Sequence, residues 1–421
     1  MRRRVNYLTY GCKVNQYETE RIKQILSDAV EESVEAEADI YIINTCTVTK
    51  KIDDEILRKI RQIKKHKNKK LVLTGCMVMR NDESGLSGQA DFIIPNDKKF
   101  DPDFYPDELK PKNWHEKTGR VLKEFGGKNK AFVKVEDGCD RFCTYCTVPL
   151  VRGSRVISRA EDEIIIEAES LTNAGYRELV LTGVNLGLYG RAENNALEKL
   201  LKRLVSIKGI GRVRLSSIGP KELSNEAIDF IAENRDKICG HFHMSMQSGD
   251  EKMLKLMNRN YTPDEYMAKA SYIIKSIPDA AITTDIIAGF PGEGIAEFEN
   301  TCAFIKSAPL TRLHVFPYSD RPGTKAEKMK DKVPEQEKKR RIKVLIGIGK
   351  AKEKEFAEKN SGKKLTVLVE DNPKAGYFSG YTENYIRVNI KETDSSKKLV
   401  NGLVPVIITE VRDGKVYAEI I

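Results

Sequence analysis

The sequence predicts a multidomain α/β protein: a doubly wound α/β unit, then a partial (β/α)6 barrel, then a small β-barrel. Three observations predict it. Strand-like and helix-like periodicities alternate from Val5 to Phe316, the strand ends run into glycines and cysteines, and Lys364–Ile421 holds only short strands. A chain of 421 residues exceeds one ordinary core, and its pattern divides it at 1–118, 125–360 and 361–421.

In the first unit, the strand-like runs Val5–Tyr10, Ile40–Asn44 and Leu71–Thr74 lead to Gly11-Cys12, Thr45-Cys46 and Gly75-Cys76. Helices lie between them. One is expected to start at Asn15, with Glu18 three residues on as a capping box, and another covers Asp53–Lys65. The C-terminal strand edges of a doubly wound sheet form its crevice, so thiols 34 and 30 residues apart in sequence converge there. One such cysteine alone reads as a small buried residue. Three at equivalent positions point to a three-cysteine cluster with one iron left open.

The middle unit opens with a strand over Ala131–Glu136, followed by a helix over Ala160–Ala174 and a strand over Glu178–Leu181. Further strands are expected at Arg212–Leu215, His241–Met246, Ala281–Ile287 and Arg312–Phe316, with helices at Asn225–Glu233, Thr262–Ile274 and Ile295–Ser307. Repeated βα units imply parallel strands, and six make an open barrel whose site lies at the strand C-terminal ends. The first of those ends reads EDGCDRFCTYC and carries Cys139, Cys143 and Cys146. A structural zinc or an electron-transfer cluster takes four protein ligands, so three leave one iron for something exchangeable. A zinc completed by histidine is disfavoured, because the chain has no histidine between His115 and His241.

Later strand ends are rich in glycine and polar residues: Thr182–Asn185, Ser245–Gly249 and Gly289–Glu293. Glycines there permit backbone approach to a cofactor, and equally serve ordinary βα turns. His241 and His243 share a strand face; a metal pair is conceivable, with strand-end packing or substrate contact weighed ahead of it.

Seventy-two Lys and Arg against 62 Asp and Glu leave +10. The excess is uneven: Arg58–Lys70 holds eight basic residues and no acid, and Lys325–Asn360 thirteen basic against seven acidic. Nucleic acid is the first partner to consider, although lysine-rich helices also serve as solvated faces. The start MRRRVNYLTYGC turns polar, and no uncharged apolar run has membrane-spanning length, so a cytoplasmic protein without membrane contact is expected. Cysteines in a reducing compartment read as ligands or reactive thiols; six fall in the two patterns, and Cys239 and Cys302 do not. No Ser/His/Asp or paired-carboxylate pattern occurs, which leaves the difficult step to a cofactor.

After a basic helix near Glu335–Lys359, the segments LTVLVE, GYFSGYT, YIRVNI, VPVIIT and VYAEII are separated by Gly, Asn and Asp turns. Small barrels of this kind bind RNA or act as structural caps. Tyr377, Phe378, Tyr381 and Tyr385 either stack on bases or fill the barrel.

CxxxCxxC with Tyr145 before the last cysteine resembles the radical S-adenosylmethionine superfamily. The strings YGCKVNQYETE, INTCTVT, LTGC, DGCDRFCTYCTVPLVRG, LTGVNLGLYG, SMQSGD, TDIIAGFPGE and HVFPYSDRPGTKA resemble the methylthiotransferases, across essentially the whole chain. That family joins an amino-terminal cluster domain, a radical barrel and a TRAM barrel. The resemblance implies two 4Fe-4S clusters, each with an open iron. Cys12, Cys46 and Cys76 hold one and Cys139, Cys143 and Cys146 the other, as catalytic and metal ligands. It puts Tyr145 near the adenine of S-adenosylmethionine, Thr182, Gly183 and Asn185 at its methionine amino group, Ser245 and Gln247 at its ribose, and Ile287 and Gly289 against its adenine.

One S-adenosylmethionine would methylate a sulfur on the amino-terminal cluster. Another, cleaved at the barrel cluster, would give the radical that takes hydrogen from the substrate carbon. A reducing protein such as flavodoxin or ferredoxin is implied, with the sulfur donor left open. GCKVNQYETE with NTCTVT most resembles the subgroup acting on C2 of N6-threonylcarbamoyladenosine at tRNA position 37. Alternatives are N6-isopentenyladenosine in tRNA or an aspartate of a small-subunit ribosomal protein. An RNA-binding module with structural metals is the rival class. Met77-Val78-Met79-Arg80 and His243-Met244 depart from the family pattern.

Overall fold

The computed structural model describes residues 2–86, 88–112, 121–126, 129–191, 193 and 195–421, without the side chains of 81–84 and 372. The expected boundary at residue 118 lies outside the described residues. The amino-terminal unit contains β1 (Arg3–Thr9), α1 (Lys13–Leu26), β2 (Val30–Glu32), β3 (Ile40–Thr45), α2 (Lys50–Lys64), β4 (Lys70–Gly75) and β5 (Phe92–Ile93). The sheet order is β2-β1-β3-β4-β5, with every pairing parallel. All six residues of β3 are buried, as a central strand covered on both faces requires. Val5, Ile22, Ile25, Leu26 and Val72 pack on one side, and Ile43, Ile56, Ile60, Ile63 and Leu73 on the other.

One expectation is corrected here. Helix α1 starts at Lys13 with Cys12 as its N-cap and no side-chain cap, so Asn15 and Glu18 form no capping box. Asn15 instead donates its amide to the carbonyls of Tyr10 (2.8 Å) and Thr45 (2.9 Å), and Glu18 turns into a buried charge cluster. Tertiary partners thus outcompete the local cap.

The middle unit is an open barrel. Strands β6 (Lys130–Lys134), β7 (Glu178–Thr182) and β8 (Arg212–Leu215) form one parallel sheet. β9 (Ser217–Ile218), β10 (His241–Met244), β11 (Ala281–Ala288) and β12 (Arg312–Pro317) form a second. The third barrel strand, broken at Ser216, belongs to both. Helices α3 (Glu161–Asn173), α4 (Ala196–Val205), α5 (Asn225–Glu233), α6 (Glu251–Leu256), α7 (Pro263–Ser276) and α8 (Ile295–Ser307) connect the strands. α7 begins with a true capping box, Thr262 with Glu265. Helix α1 packs beside the free edge at β6, and the long α9 (Glu335–Lys359) beside β12.

The core of this unit lies mostly outside the barrel. Leu179, Leu181, Val213, Leu215, Phe242, Met244, Ile282 and Ile286 belong to one hydrophobic cluster beneath the helices. Strand alternation therefore turns Glu178, Arg212, Arg214, His241, His243, Thr283 and Asp285 inward.

The last unit is a closed five-stranded barrel, β13 (Lys364–Lys374), β14 (Tyr377–Thr382), β15 (Arg387–Lys391), β16 (Leu403–Arg412) and β17 (Lys415–Ile420), in the order β13-β14-β15-β17-β16. It docks on the inward-facing arginines. Arg212 donates to the carbonyls of Thr366 (2.7 Å) and Tyr381 (2.8 Å), and Arg214 to Thr382 (2.9 Å) and Glu383 (3.2 Å). Tyr385, at φ +66°, stacks on His241 with ring centroids 3.9 Å apart and on Tyr381 at 4.6 Å. Phe378 fills the small barrel, Tyr377 packs edge-on against Tyr417, and Tyr381 and Tyr385 serve the interface.

Among the described residues no helix is long and apolar enough to cross a membrane.

Candidate functional site

The loop after β6 folds three thiols together. Gly138 has φ +80°, and a Cβ there would run into the carbonyl of Arg155; Phe142 is also left-handed, at φ +47°. Cys146 N–H donates to the Cys143 carbonyl at 3.0 Å. Burial pushes the Cys146 thiol up to about 12, and the neighbouring Cys143 and Cys139 push the same way. Burial raises Cys139 as well, with Cys143 adding to it. Thiols that oppose one another's ionisation this way are ready for a cation that reverses the balance. Arg259 donates to Cys143 Sγ at 3.3 Å. A small cavity of about 160 Å³ opens beside Cys143, Asn185 and Arg259.

Beside this triad lies a carboxylate that the sequence does not advertise. Glu136 is fully buried; its Oε1 accepts from Asn185 N–H at 2.7 Å, while Oε2 has no partner among the described residues. Burial raises its pKa to about 8, the Asn185 hydrogen bond opposing. Gly183 must lack a Cβ, which would collide with this carboxylate. Asn185 Oδ1 in turn accepts from Gly219 N–H at 3.1 Å. An orphaned buried acceptor wants a donor, and a ligand ammonium supplies one. Its only sequence signal is its position in EDGC.

The other residues expected around the cofactor divide into two groups. Tyr145, Ile287 and Phe290 pack with Met253, Met257 and Tyr318 into an apolar wall, with Tyr145 edge-on to Phe290 at 6.4 Å. Gly289, at φ +74°, turns the chain after β11 and donates to Glu293 at 2.7 Å. Thr182 is buried, its carbonyl taking the Val135 N–H at 2.9 Å. Ser245 donates its hydroxyl to Asp285 Oδ2 at 2.9 Å. Gln247, buried at φ +73°, links the second sheet by backbone bonds to Asp285 (2.8 Å) and Ile287 (2.9 Å).

The second triad gathers at the C-terminal edges of β1, β3 and β4. Gly11 has φ +104°, and a Cβ on it would sit 2.7 Å from Cys46 Sγ. Burial drives Cys46 up to about 12, with Cys76 and Cys12 adding to the rise. Burial also raises Cys76, against the pull of Arg152 and Lys99. Cys239 lies instead beside Arg214 and Arg212, and Cys302 near Lys306 and Glu293. Each triad therefore offers three thiols, the donor set of a cluster with one uncovered iron.

A buried charge network joins the two triads. Glu18 on α1 pairs with Lys99 at 2.5 Å, Lys134 at 2.8 Å and Arg152 at 3.0 Å. Arg152 reaches on to Asp137 at 3.1 Å and to Asn15 Oδ1. Burial opposes the charge on Glu18, yet the three cations hold it well below the usual carboxylate range, while burial lowers Lys99 to about 8. The motif residues Asn15 and Glu18 thus clamp the strand-edge triad of Cys12, Cys46 and Cys76 to the loop that carries Cys139, Cys143 and Cys146. A second clamp uses Arg80, 2.7 Å from Asp53, and Arg321, which donates to Thr47 at 2.8 Å and to Asp53. The unusual Met77–Arg80 segment serves it, with Met79 sulfur also accepting from Asn96 N–H at 3.3 Å.

The lumen of the open barrel is polar. His241 and His243 both meet the Thr283 hydroxyl, at 3.0 and 2.9 Å. His243 continues to Asp285 at 3.1 Å, and His314 approaches the other oxygen of Asp285 at 3.4 Å. His243, Asp285 and His314 place their potential ligand atoms within 4.8 Å of one another. Burial opposes ionisation of Asp285, but the hydrogen bonds from both histidines outweigh it.

Residues 133–305 match the Radical SAM superfamily, and residues 4–94 the uncharacterized protein family UPF0004. The chain is 36% identical to a threonylcarbamoyladenosine tRNA methylthiotransferase MtaB of Aquifex aeolicus, over 95% of this chain and 100% of that protein. The Bacillus subtilis protein of that name is 36% identical over 93% of this chain and 91% of its own. A tRNA-2-methylthio-N(6)-dimethylallyladenosine synthase of Fervidobacterium nodosum is 35% identical over 99% of both chains. In fold, the chain is similar to the radical S-adenosylmethionine methyltransferase TsrM from Kitasatospora setae, with TM-score 0.57 and 14% identity over 78% of this chain and 77% of that one.

Proposed function

Because the chain belongs to the methylthiotransferase family of radical S-adenosylmethionine enzymes, we propose that it adds a methylthio group to C2 of N6-threonylcarbamoyladenosine, next to the tRNA anticodon at position 37. The observation that carries this reading is the pair of three-thiol sites, whose two units are tied together by the buried Glu18–Arg152 ion pair. Cys139, Cys143 and Cys146 hold one 4Fe-4S cluster, and Cys12, Cys46 and Cys76 the other. When bound, these groups supply one-electron cleavage of S-adenosylmethionine at the first site and the sulfur to be transferred at the second.

The chain's own residues bind and orient. Glu136, hydrogen-bonded by Asn185 and left with one free oxygen, takes the ammonium of S-adenosylmethionine. Tyr145, Ile287 and Phe290 cover its adenine and exclude water. Asp285, fixed by Ser245, His243 and His314, stays ionised as an acceptor facing the lumen. A cleft of about 610 Å³ between β12, α9 and the small barrel, with Arg312, Lys350, Lys354 and Arg387 in its wall, receives the RNA backbone. Electrons come from a reducing protein such as flavodoxin or ferredoxin in the cytoplasm. The three units follow the divisions 1–118, 125–360 and 361–421.

An apolar dimethylallyl side chain on the adenosine is the second reading, favoured by the relatives that carry that name. The polar lining, with Ser245, His243, Thr283 and Asp285 joined by hydrogen bonds, suits a hydrogen-bonding substituent better than an apolar one. Mass analysis of tRNA nucleosides from cells lacking and regaining the gene decides. The methylthio derivative of threonylcarbamoyladenosine should vanish and return; loss from isopentenyladenosine instead overturns the substrate. Reconstituted protein should hold about eight irons and form 5′-deoxyadenosine on reduction, which a module with structural metals alone would not.

A further inference from the structure

Three neighbouring strands bring one ligand-bearing side chain each to the same patch of the lumen wall. His243 on β10 lies in register with Thr283 on β11, and Asp285 on β11 with His314 on β12, so His314 shares the inward face of Asp285. His243 Nε2 is 3.1 Å from Asp285 Oδ2, and His314 Nδ1 is 3.4 Å from Asp285 Oδ1. One ligand atom from each of the three lies within 4.8 Å of the others. A metal ion bound at about 2.0–2.2 Å holds adjacent ligand atoms about 3.0–3.5 Å apart. Both nitrogen–oxygen spacings therefore suit neighbouring corners of one coordination sphere. The two rings stand 5.3 Å apart, centroid to centroid, and the His314 side chain, 36% exposed, has room to turn about its broad terminal torsion.

Two of the three ligands are also oriented from behind. Thr283 Oγ1 lies 2.9 Å from His243 Nδ1, and Ser245 donates its hydroxyl to Asp285 Oδ2 at 2.9 Å. With its proton on Nδ1 and given to Thr283, His243 turns the Nε2 lone pair toward Asp285, the arrangement in which metal-binding histidines are held. His241 takes no part, because its Nε2 meets Thr283 at 3.0 Å and its ring stacks on Tyr385. The histidine doublet of HFHM is thus divided, one ring to the interface with the small barrel and one to the lumen. We propose that His243, Asp285 and His314 bind a divalent transition-metal ion, at a centre that uses none of the cysteines of the two triads. Two imidazoles and one carboxylate suit Fe2+ or Mn2+. Three protein ligands leave at least one position open toward the lumen, for water or for an oxygen of the substrate. The site does not depend on which nucleoside is modified.

The test uses the full, cluster-loaded protein without RNA, oxidised so that its clusters give no paramagnetic signal, and manganese(II) chloride as the probe. Electron paramagnetic resonance counts the Mn2+ left free at each addition. One ion per chain should bind, and its spin-echo modulation should carry couplings to histidine nitrogen. Thr283→Val, which removes the group that orients His243, should weaken binding about ten- to a hundredfold. His314→Ala and Asp285→Asn should weaken it by at least as much, with iron content as the check that each variant has folded. Binding without nitrogen coupling, or binding that survives both ligand substitutions, puts the ion on surface carboxylates and overturns the proposal. The absence of any bound ion in the unsubstituted protein overturns it too, so a variant that fails to fold leaves the test decisive.

Discussion

The two thiol triads solve one coordination problem in opposite ways. Cys139, Cys143 and Cys146 lie within one loop, shaped by Gly138 and Phe142, so local backbone geometry alone brings them together. Cys12, Cys46 and Cys76 stand on three separate strand ends and meet only once β1, β3 and β4 have paired. The loop site is therefore a property of a segment, and the strand-edge site a property of a fold and of its docking. The difference teaches that the two sites should fail separately.

The largest effect comes from removing a ligand. Cys143→Ala should abolish 5′-deoxyadenosine formation, by about a thousandfold or more, because the cofactor carries that chemistry. Cys46→Ala should leave that cleavage within about threefold while no methylthio nucleoside forms. Loss of cleavage in Cys46→Ala would show that the sites are not independent.

Docking comes next. Glu18→Gln strands Lys99, Lys134 and Arg152 without their buried anion, a change that costs about 3–5 kcal/mol. Calorimetry should show an earlier transition for the amino-terminal unit, with iron lost from the strand-edge site before the loop site. Simultaneous loss from both sites would place the clamp in the stability of the whole chain instead.

The smallest effect sharpens the comparison at the loop site. In cluster-free protein, Glu136 is held protonated, its pKa raised by burial from 4.5 to about 8. The folded chain then binds the extra proton between those values, so its stability is greatest below the lower one and declines as pH rises through the upper. The decline is on the order of a few kcal/mol. Denaturant midpoints against pH should show this slope, and Glu136→Gln should flatten it. An unchanged slope would mean that Glu136 does not titrate in this window.

What could be read from the sequence follows the same division. The loop triad is explicit in its spacing, and the strand-edge triad is legible through the repetition of strand, glycine or threonine, and cysteine. The helices at Asn225–Glu233, Ile295–Ser307 and Glu335–Lys359 match their expected spans, since hydrophobic period and caps set them locally. Interactions between units were not legible. Glu18 has the spacing of a capping residue, and only the approach of Lys99 and Lys134 turns it inward. Glu136 looks like an ordinary strand-end acid until Asn185 and the bare Gly183 are seen against it. The His243–Asp285–His314 group draws on three strands, so no window of sequence contains it.

The inside-out arrangement of the middle unit has a further consequence for how this family diversifies. Its structural cohesion resides in the outer shell of Leu, Ile, Val and Phe beneath the helices, while most inward side chains contribute little to that shell. A lineage can therefore exchange the lining for a new nucleoside without renegotiating the scaffold. The Glu178 pairing with Arg212 and Arg214 is the exception, because those arginines also anchor the carboxy-terminal barrel; there, a change of substrate taste would loosen the grip on that barrel as well.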